Sequence, residues 1–266
     1  MPQFPTPVLG APMRAEPIRT EARKGRLADA PGLIGVLGGM GPLATLDFLH
    51  KLLKATPALS DQEHVPVMVS SIPQIPDRTE AFRGKGKSPL LALLDCALRL
   101  KLAGVGMIVI PCNTAHLWFD DIQANIDIPI LHIVDVAIEA ALIIAGKKER
   151  IGLLATDATL ASGLYINRNT SSSGSLNVQW LLPTAHEMLE LVMPGIAAVK
   201  AAQFDTGRAL LIEAARALGK RGATSIVLGC TEIPIVLNDG NSPVPTVDAT
   251  AALAQGAVQW SMQQRS

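Results

Sequence analysis

The chain repeats itself, and the repeat limits the folds open to it. Ile34-Gly35 opens an apolar run, and Ile151-Gly152 opens another 117 residues later. The stretch from Gly104 through Met107-Ile108-Val109 to Cys112 returns 118 residues on, as Gly222 through Ile226-Val227-Leu228 to Cys230. Pro129, then Val134-Asp135 and an alanine-rich segment, is echoed by Pro245, Val247-Asp248 and a second alanine-rich segment. Landmarks in one order at nearly one offset indicate two related units, 33–149 and 150–266.

Within each unit, short β-branched runs alternate with longer segments of helical period. Strands are expected at 33–37, 65–71, 106–111, 128–133, 150–155, 177–182 and 225–229, with helices over 88–103 and 206–221 among others. Near-continuous apolar strands separated by helices make parallel sheets covered on both faces. The fold class is therefore α/β, with two similar parallel-sheet domains related by pseudo-twofold symmetry and a cleft between them. Each cysteine directly follows an apolar strand, and ligands of open α/β sheets bind outside the carboxyl ends of the strands. Facing units bring Cys112 and Cys230 to opposite sides of one cleft, the arrangement a two-base proton transfer needs. The expected boundaries are a disordered extension over 1–31, a first domain over 32–133 completed by a C-terminal helix from 247–266, and a second domain over 134–246.

Composition narrows the function classes. Lys plus Arg and Asp plus Glu each total 23, so the chain carries no electrostatic footprint for nucleic acid or an anionic membrane. No apolar run reaches the length of a membrane span, and the N-terminus lacks the apolar core of a signal peptide. Three cysteines without paired metal-ligand spacing argue against a disulfide framework or a structural zinc site, and point to a reduced, cytoplasmic setting.

Four short motifs carry the chemistry. Gly38-Gly39-Met40-Gly41-Pro42 formally fits a dinucleotide fingerprint, but the next strand ends Val69-Ser70-Ser71-Ile72, with no carboxylate for a ribose. It reads better as a glycine-rich turn whose backbone N–H groups accept a small carboxylate. In Pro111-Cys112-Asn113-Thr114-Ala115-His116 the thiol sits near a helix start, and Asn113 and Thr114 offer donors for a carboxylate or an enolate. In Gly229-Cys230-Thr231-Glu232, Glu232 either caps a helix or assists the thiol, and the cap is favoured. Glu232 and His116 are auxiliary candidates for proton relay. In Ile75-Pro76-Asp77-Arg78, Pro76 stiffens the loop so that Arg78 is held for bidentate carboxylate recognition. Cys96 falls on an apolar helix face and reads as core, while His50, His64, His132 and His186 show no ligand spacing. A one-thiol Cys–His hydrolase leaves Cys230 unexplained.

The runs LGGMGPLAT (37–45), DQEH (61–64), PQIPDRT (73–79), PCNTAH (111–116), IGLLATDATLASGLY (151–165) and GCTEIP (229–234) closely resemble the aspartate/glutamate racemase family, and its aspartate branch in particular. That resemblance implies a racemase with no cofactor and no metal, in which one cysteine removes the α-proton as thiolate and the other returns a proton to the opposite face. It assigns these roles to Cys112 and Cys230, and side-chain carboxylate binding to Arg78. Lys200 aligns with a second basic residue of the family. Met40, Asn113, Thr114, Thr156 and Thr231 align with positions lining the substrate cleft. Glu232, where glutamate racemases usually carry His, sides with aspartate as substrate, glutamate being an additional one. The resemblance further implies a homodimer whose partner molecule is a small amino acid. The competing readings are a racemase of another amino acid or diacid, and a catalytically lapsed dicarboxylate-binding protein.

Overall fold

A computed structural model describes residues 30–145, 150–172 and 178–265. The extension expected over 1–31 lies almost entirely outside the described residues. The first unit runs β1 (Ile34–Gly38), α1 (Pro42–Ala55), β2 (Val67–Ser71), α2 (Arg78–Phe82), α3 (Leu90–Leu102), β3 (Met107–Val109), α4 (Phe119–Ala124), β4 (Ile130–Leu131) and α5 (Ile133–Ala145). The second runs β5 (Arg150–Leu154), α6 (Asp157–Ala161), α7 (Leu164–Ser172), β6 (Gln179–Leu181), α8 (Ala185–Glu187), α9 (Met193–Lys200), α10 (Phe204–Lys220), β7 (Ser225–Leu228), β8 (Thr246–Asp248) and α11 (Ala249–Arg265).

Both sheets are parallel throughout and share one topology, β2-β1-β3-β4 and β6-β5-β7-β8. The register repeats as well: Ile34 lies opposite Met107, and Ile151 opposite Ser225. Every expected strand is present, most of them shorter than the apolar run that announced them. The eighth strand, Thr246–Asp248, was visible in the sequence only as a landmark of the repeat. Its three residues are too few to show a period.

The helices that feed β3 and β7 end alike. Gly104 and Gly222 both take positive φ (87° and 93°) at the first position past the helix cap. The amides of Val105 and Ala223 then reach back to the carbonyls of Leu100 and Leu218. This is the Schellman stop, which a residue with a Cβ adopts only with strain. It turns each chain sharply into the buried strand that leads to a cysteine.

The two units exchange helices. α11, the last element, packs along α1 and α5, and its Ser261 Oγ donates to the Gly32 carbonyl at 2.7 Å. α5 packs against α7, β7 and β8 of the second unit. One central cluster joins Ile34, Val36 and Val109 of the first sheet to Ile151, Leu153 and Val227 of the second. Among the described residues no helix is long and apolar enough to cross a membrane.

Candidate active site

Four strand-end loops and two helices surround one cavity of about 300 Å³, counting its mouth. After β3 the chain delivers Cys112, Asn113 and Thr114. After β7 it delivers Cys230, Thr231 and Glu232. The β1 and β5 loops contribute Met40 and Thr156. The start of α2 adds Asp77, Arg78 and Thr79, and Lys200 ends α9. Both thiols are buried, at 6% and 5% exposure. The cavity thus gathers every residue picked from the sequence except His116. Asp77 and Thr79 are additions, legible only as neighbours of Arg78 within one motif.

Hydrogen bonds fix the walls across the two units. Tyr165 on α7 donates its hydroxyl to Asn113 Oδ1 at 2.6 Å. The hydroxyls of Thr114, Thr156 and Thr159 form a buried triangle with edges of 3.1, 3.1 and 3.0 Å, joining the Cys112 loop to the cap of α6. Glu232 mirrors Thr114, since it reaches from the second unit toward the first loop of the other. A Cβ on Gly41 would come within 3.2 Å of its Oε1, a tight contact that the carboxylate would have to yield to. Arg83 and Asp157 form an ion pair between α2 and α6.

The favoured reading of Glu232 as a helix cap is corrected. It heads a short turn over Ile233–Ile235 with no side-chain cap, and its Oε2 accepts the Cys230 thiol at 3.0 Å instead. The turn is too short to need the cap, and the carboxylate faces the thiol two residues back. Arg78 is held as its loop suggested, with Nη1 donating to the carbonyls of Ile75 and Pro76 at 3.1 and 3.0 Å. In the glycine-rich turn, the Gly39 amide donates to Thr45 Oγ1 at 2.9 Å. That N–H is therefore occupied within the chain and does not face a ligand.

His116 stands apart from the thiols. Its Nδ1–H donates to the Cys112 carbonyl at 2.9 Å, and its Nε2 accepts from the Ile133 amide at 3.2 Å. Both nitrogens are engaged with backbone, so the ring has no lone pair for the thiol. Burial holds it neutral, its pKa lowered to about 4. This geometry removes the Cys–His hydrolase.

The cavity is electrically divided. Burial pushes the Cys230 thiol well above its ordinary range, and the neighbouring Glu232 pushes it further, while Lys200 opposes them. Burial alone would lower the Lys200 ammonium, but Glu232, the two cysteines and Asp77 outweigh it, so its pKa rises. Three buried polar atoms on the lining residues have no partner among the described residues: Arg78 Nε, Asn113 Nδ2 and Glu232 Oε1. Two donors and one acceptor left unmatched in one small polar cavity suit a ligand carrying both carboxylate and ammonium groups. Among the described residues, no group of three or more His, Cys, Asp or Glu side chains is placed to hold a metal ion.

Known proteins share this architecture. A family model described as Asp/Glu/Hydantoin racemase matches residues 37–257. The broad specificity amino-acid racemase RacX of Bacillus subtilis (strain 168) is 29% identical over 232 residues, covering 85% of this chain and 96% of that protein. Among solved structures, the Picrophilus torridus aspartate racemase superposes with a TM-score of 0.78 at 29% identity, covering 86% of this chain and 94% of that one. The glutamate racemase of Francisella tularensis, solved in complex with D-glutamate, shares the fold with a TM-score of 0.62 at 16% identity over 90% of this chain and 83% of its own. With repeat, topology and family model in agreement over most of its length, the chain belongs to the Asp/Glu/hydantoin racemase family.

Proposed function

We propose that the protein racemises aspartate, by proton transfer between Cys112, Cys230 and the substrate Cα, without a cofactor. The observation that carries this reading is the pair of buried thiols, at equivalent strand ends of a repeat, lining one small cavity with Arg78 and Lys200. Burial and Glu232 favour the protonated form of Cys230, which makes it the acid of the pair in the resting site. The base that takes the α-proton is then Cys112. As the proton leaves, charge builds on the substrate α-carboxylate. Asn113 Nδ2, Thr231 and Lys200 meet that charge as donors already in place, the kind of stabilisation that is worth most in a dry site. When Cys230 gives up its proton, the new thiolate lies beside Glu232, and Lys200 offsets the two negative charges. Arg78 binds the side-chain carboxylate. The reading extends to a homodimer in the reduced cytoplasm, where three buried unpaired cysteines would persist.

Incubation of L-aspartate with the protein in D2O should yield D-aspartate carrying deuterium at Cα. Cys112→Ala and Cys230→Ala should each lower the rate by roughly 10²–10⁴-fold or more, as expected for loss of a positioned acid or base. Parental rates in both variants would end the two-base reading.

A second reading, broader substrate range, has its own support. A cavity of about 750 Å³ adjoins the first and shares Asp77, Arg78, Lys200 and Glu232 with it, and its farther wall is Pro42, Leu43, Ile75 and Val199. Apolar side chains longer than that of aspartate fit such a wall. Deuterium wash-in across a panel of L-amino acids separates the two readings, since exchange confined to acidic substrates excludes the broader one.

A further inference from the structure

We infer that a second cavity, sharing no lining residue with the cleft, binds a free amino acid as a zwitterion. The cavity encloses about 920 Å³, counting its mouth, between α4 and β4 of the first unit and α6–α7 of the second. His132 on its wall is 4% exposed. The Val134 amide donates to His132 Nδ1 at 3.2 Å, so the proton of the neutral ring resides on Nε2. That buried N–H has no acceptor among the described residues. Burial, with His116 and Arg168 nearby, keeps the ring neutral. A buried donor left unmatched is unfavourable, and an acceptor on a ligand would remove that cost.

The other walls specify the rest of the ligand. Arg168 lines the cavity and forms a bidentate ion pair with Asp135, so together they add no net charge. The Arg168 guanidinium lies 5.5 Å over the Phe119 ring, which meets His132 edge-on at 4.5 Å. Asp120 stands exposed at the rim. The wall therefore offers the unmatched His132 N–H as a donor, the Asp120 carboxylate, which also interacts with Arg168, and apolar surface from Phe119 and Leu164. An α-carboxylate facing His132 and Arg168, with an ammonium facing Asp120, matches both signs; a simple anion or a simple cation matches one. Such an occupant touches His116, whose ring stacks edge-on with His132 at 4.5 Å and bonds the Cys112 carbonyl.

This site does not depend on the proposed activity, because binding alone tests it. Isothermal titration of the twenty L-amino acids and their D-enantiomers into the full chain should reveal a ligand with two sites per chain. Leu164→Trp, which projects a bulky ring from the cavity wall, should leave one site. Asp120→Asn, a substitution at an exposed position, should weaken that second site at least tenfold. Arg78→Ala should remove only the cleft site. Propionate and ethylamine, each bearing half the zwitterion, should bind the second site at least tenfold more weakly than the amino acid. Absence of any binding, or a single site that Arg78→Ala abolishes and Leu164→Trp leaves intact, overturns the inference. So does a second site of unchanged affinity in both Leu164→Trp and Asp120→Asn, or propionate binding as tightly as the amino acid.

Discussion

Cys230 and Glu232 lie two residues apart, and the thiol donates to the carboxylate, whose charge raises the thiol. A thiol whose folded value is raised stays protonated to higher pH than in the unfolded chain. Its contribution to stability is complete below the unfolded value of about 8.5 and is lost as pH rises above it. Removing the neighbouring charge in Glu232→Gln lowers the thiol's value, so a reaction that needs Cys230 protonated should lose its alkaline limb at lower pH. A kcat/KM profile against pH checks this, and an unmoved alkaline limb would assign that limb to another group. His116 has the opposite sign. Its folded value of about 4 lies below the ordinary 6.5, so the stability it lends is full above pH 6.5 and is lost as pH falls through 4. The loss amounts to about 3 kcal/mol at one pKa unit per 1.36 kcal/mol. Denaturant midpoints measured from pH 7 to pH 4 should therefore fall, and an acid-insensitive midpoint would contradict a neutral buried ring. At this scale the sequence was most informative about residues bound to a repeated landmark. Cys112, Cys230 and their followers were legible for that reason, while the direction of a ring such as His116 depends on which backbone groups happen to surround it.

At the scale of elements, the central strands were legible because parallel strands buried on both faces are apolar runs, and β1 and β7 are buried at every residue, whereas the edge strand β2 is apolar yet mostly exposed. Less legible was how one unit props the other. Tyr165, the single tyrosine of the chain, sits 117 residues after Phe48, and both are fully buried. The repeat offset relates them, but the hydroxyl gained in the second copy carries the meaning, because it crosses to Asn113. Thr159 likewise completes the triangle with Thr114 without lining the cavity. Tyr165→Phe leaves Asn113 Oδ1 without that donor and should destabilise the protein by about 1–3 kcal/mol. Because Asn113 would then be free to turn, kcat should fall more than KM rises. Urea denaturation together with steady-state kinetics on the variant checks both. A stable variant with parental kcat would show that the Cys112 loop needs no support from α7. The stretch 185–200 was beyond sequence reading for a different reason: α8 and α9 are joined by a π-turn over Met188–Val192, a rare irregularity that displaces the helix face that ends in Lys200.

For the whole molecule, the exchange of α5 and α11 decides how the chain comes apart. Each helix covers apolar surface of the unit to which it does not belong in sequence, and the central cluster draws on both sheets. Neither unit keeps its buried face if the other unfolds, so the chain should unfold as one cooperative body despite its internal repeat. The tryptophans allow a direct test, since Trp118 lies in the first unit and Trp180 on β6 of the second. Two variants, each retaining one of these and carrying Phe at the remaining tryptophans, should give coincident urea midpoints by fluorescence. Truncation after Asp248 removes α11, and with it the Ser261 contact to Gly32 and the cover over α1. That chain should lose cooperative unfolding in both reporters rather than in the first alone. Separated midpoints, or a second unit that stays folded without α11, would mean that the cleft lies between two independent bodies. Opening of the cleft would then require no cost in the shared core. With a shared core, motion at the cleft is confined to the loops and to contacts between the units, such as Arg83 with Asp157, and the thiols stay at the fixed ends of β3 and β7 that line the cleft.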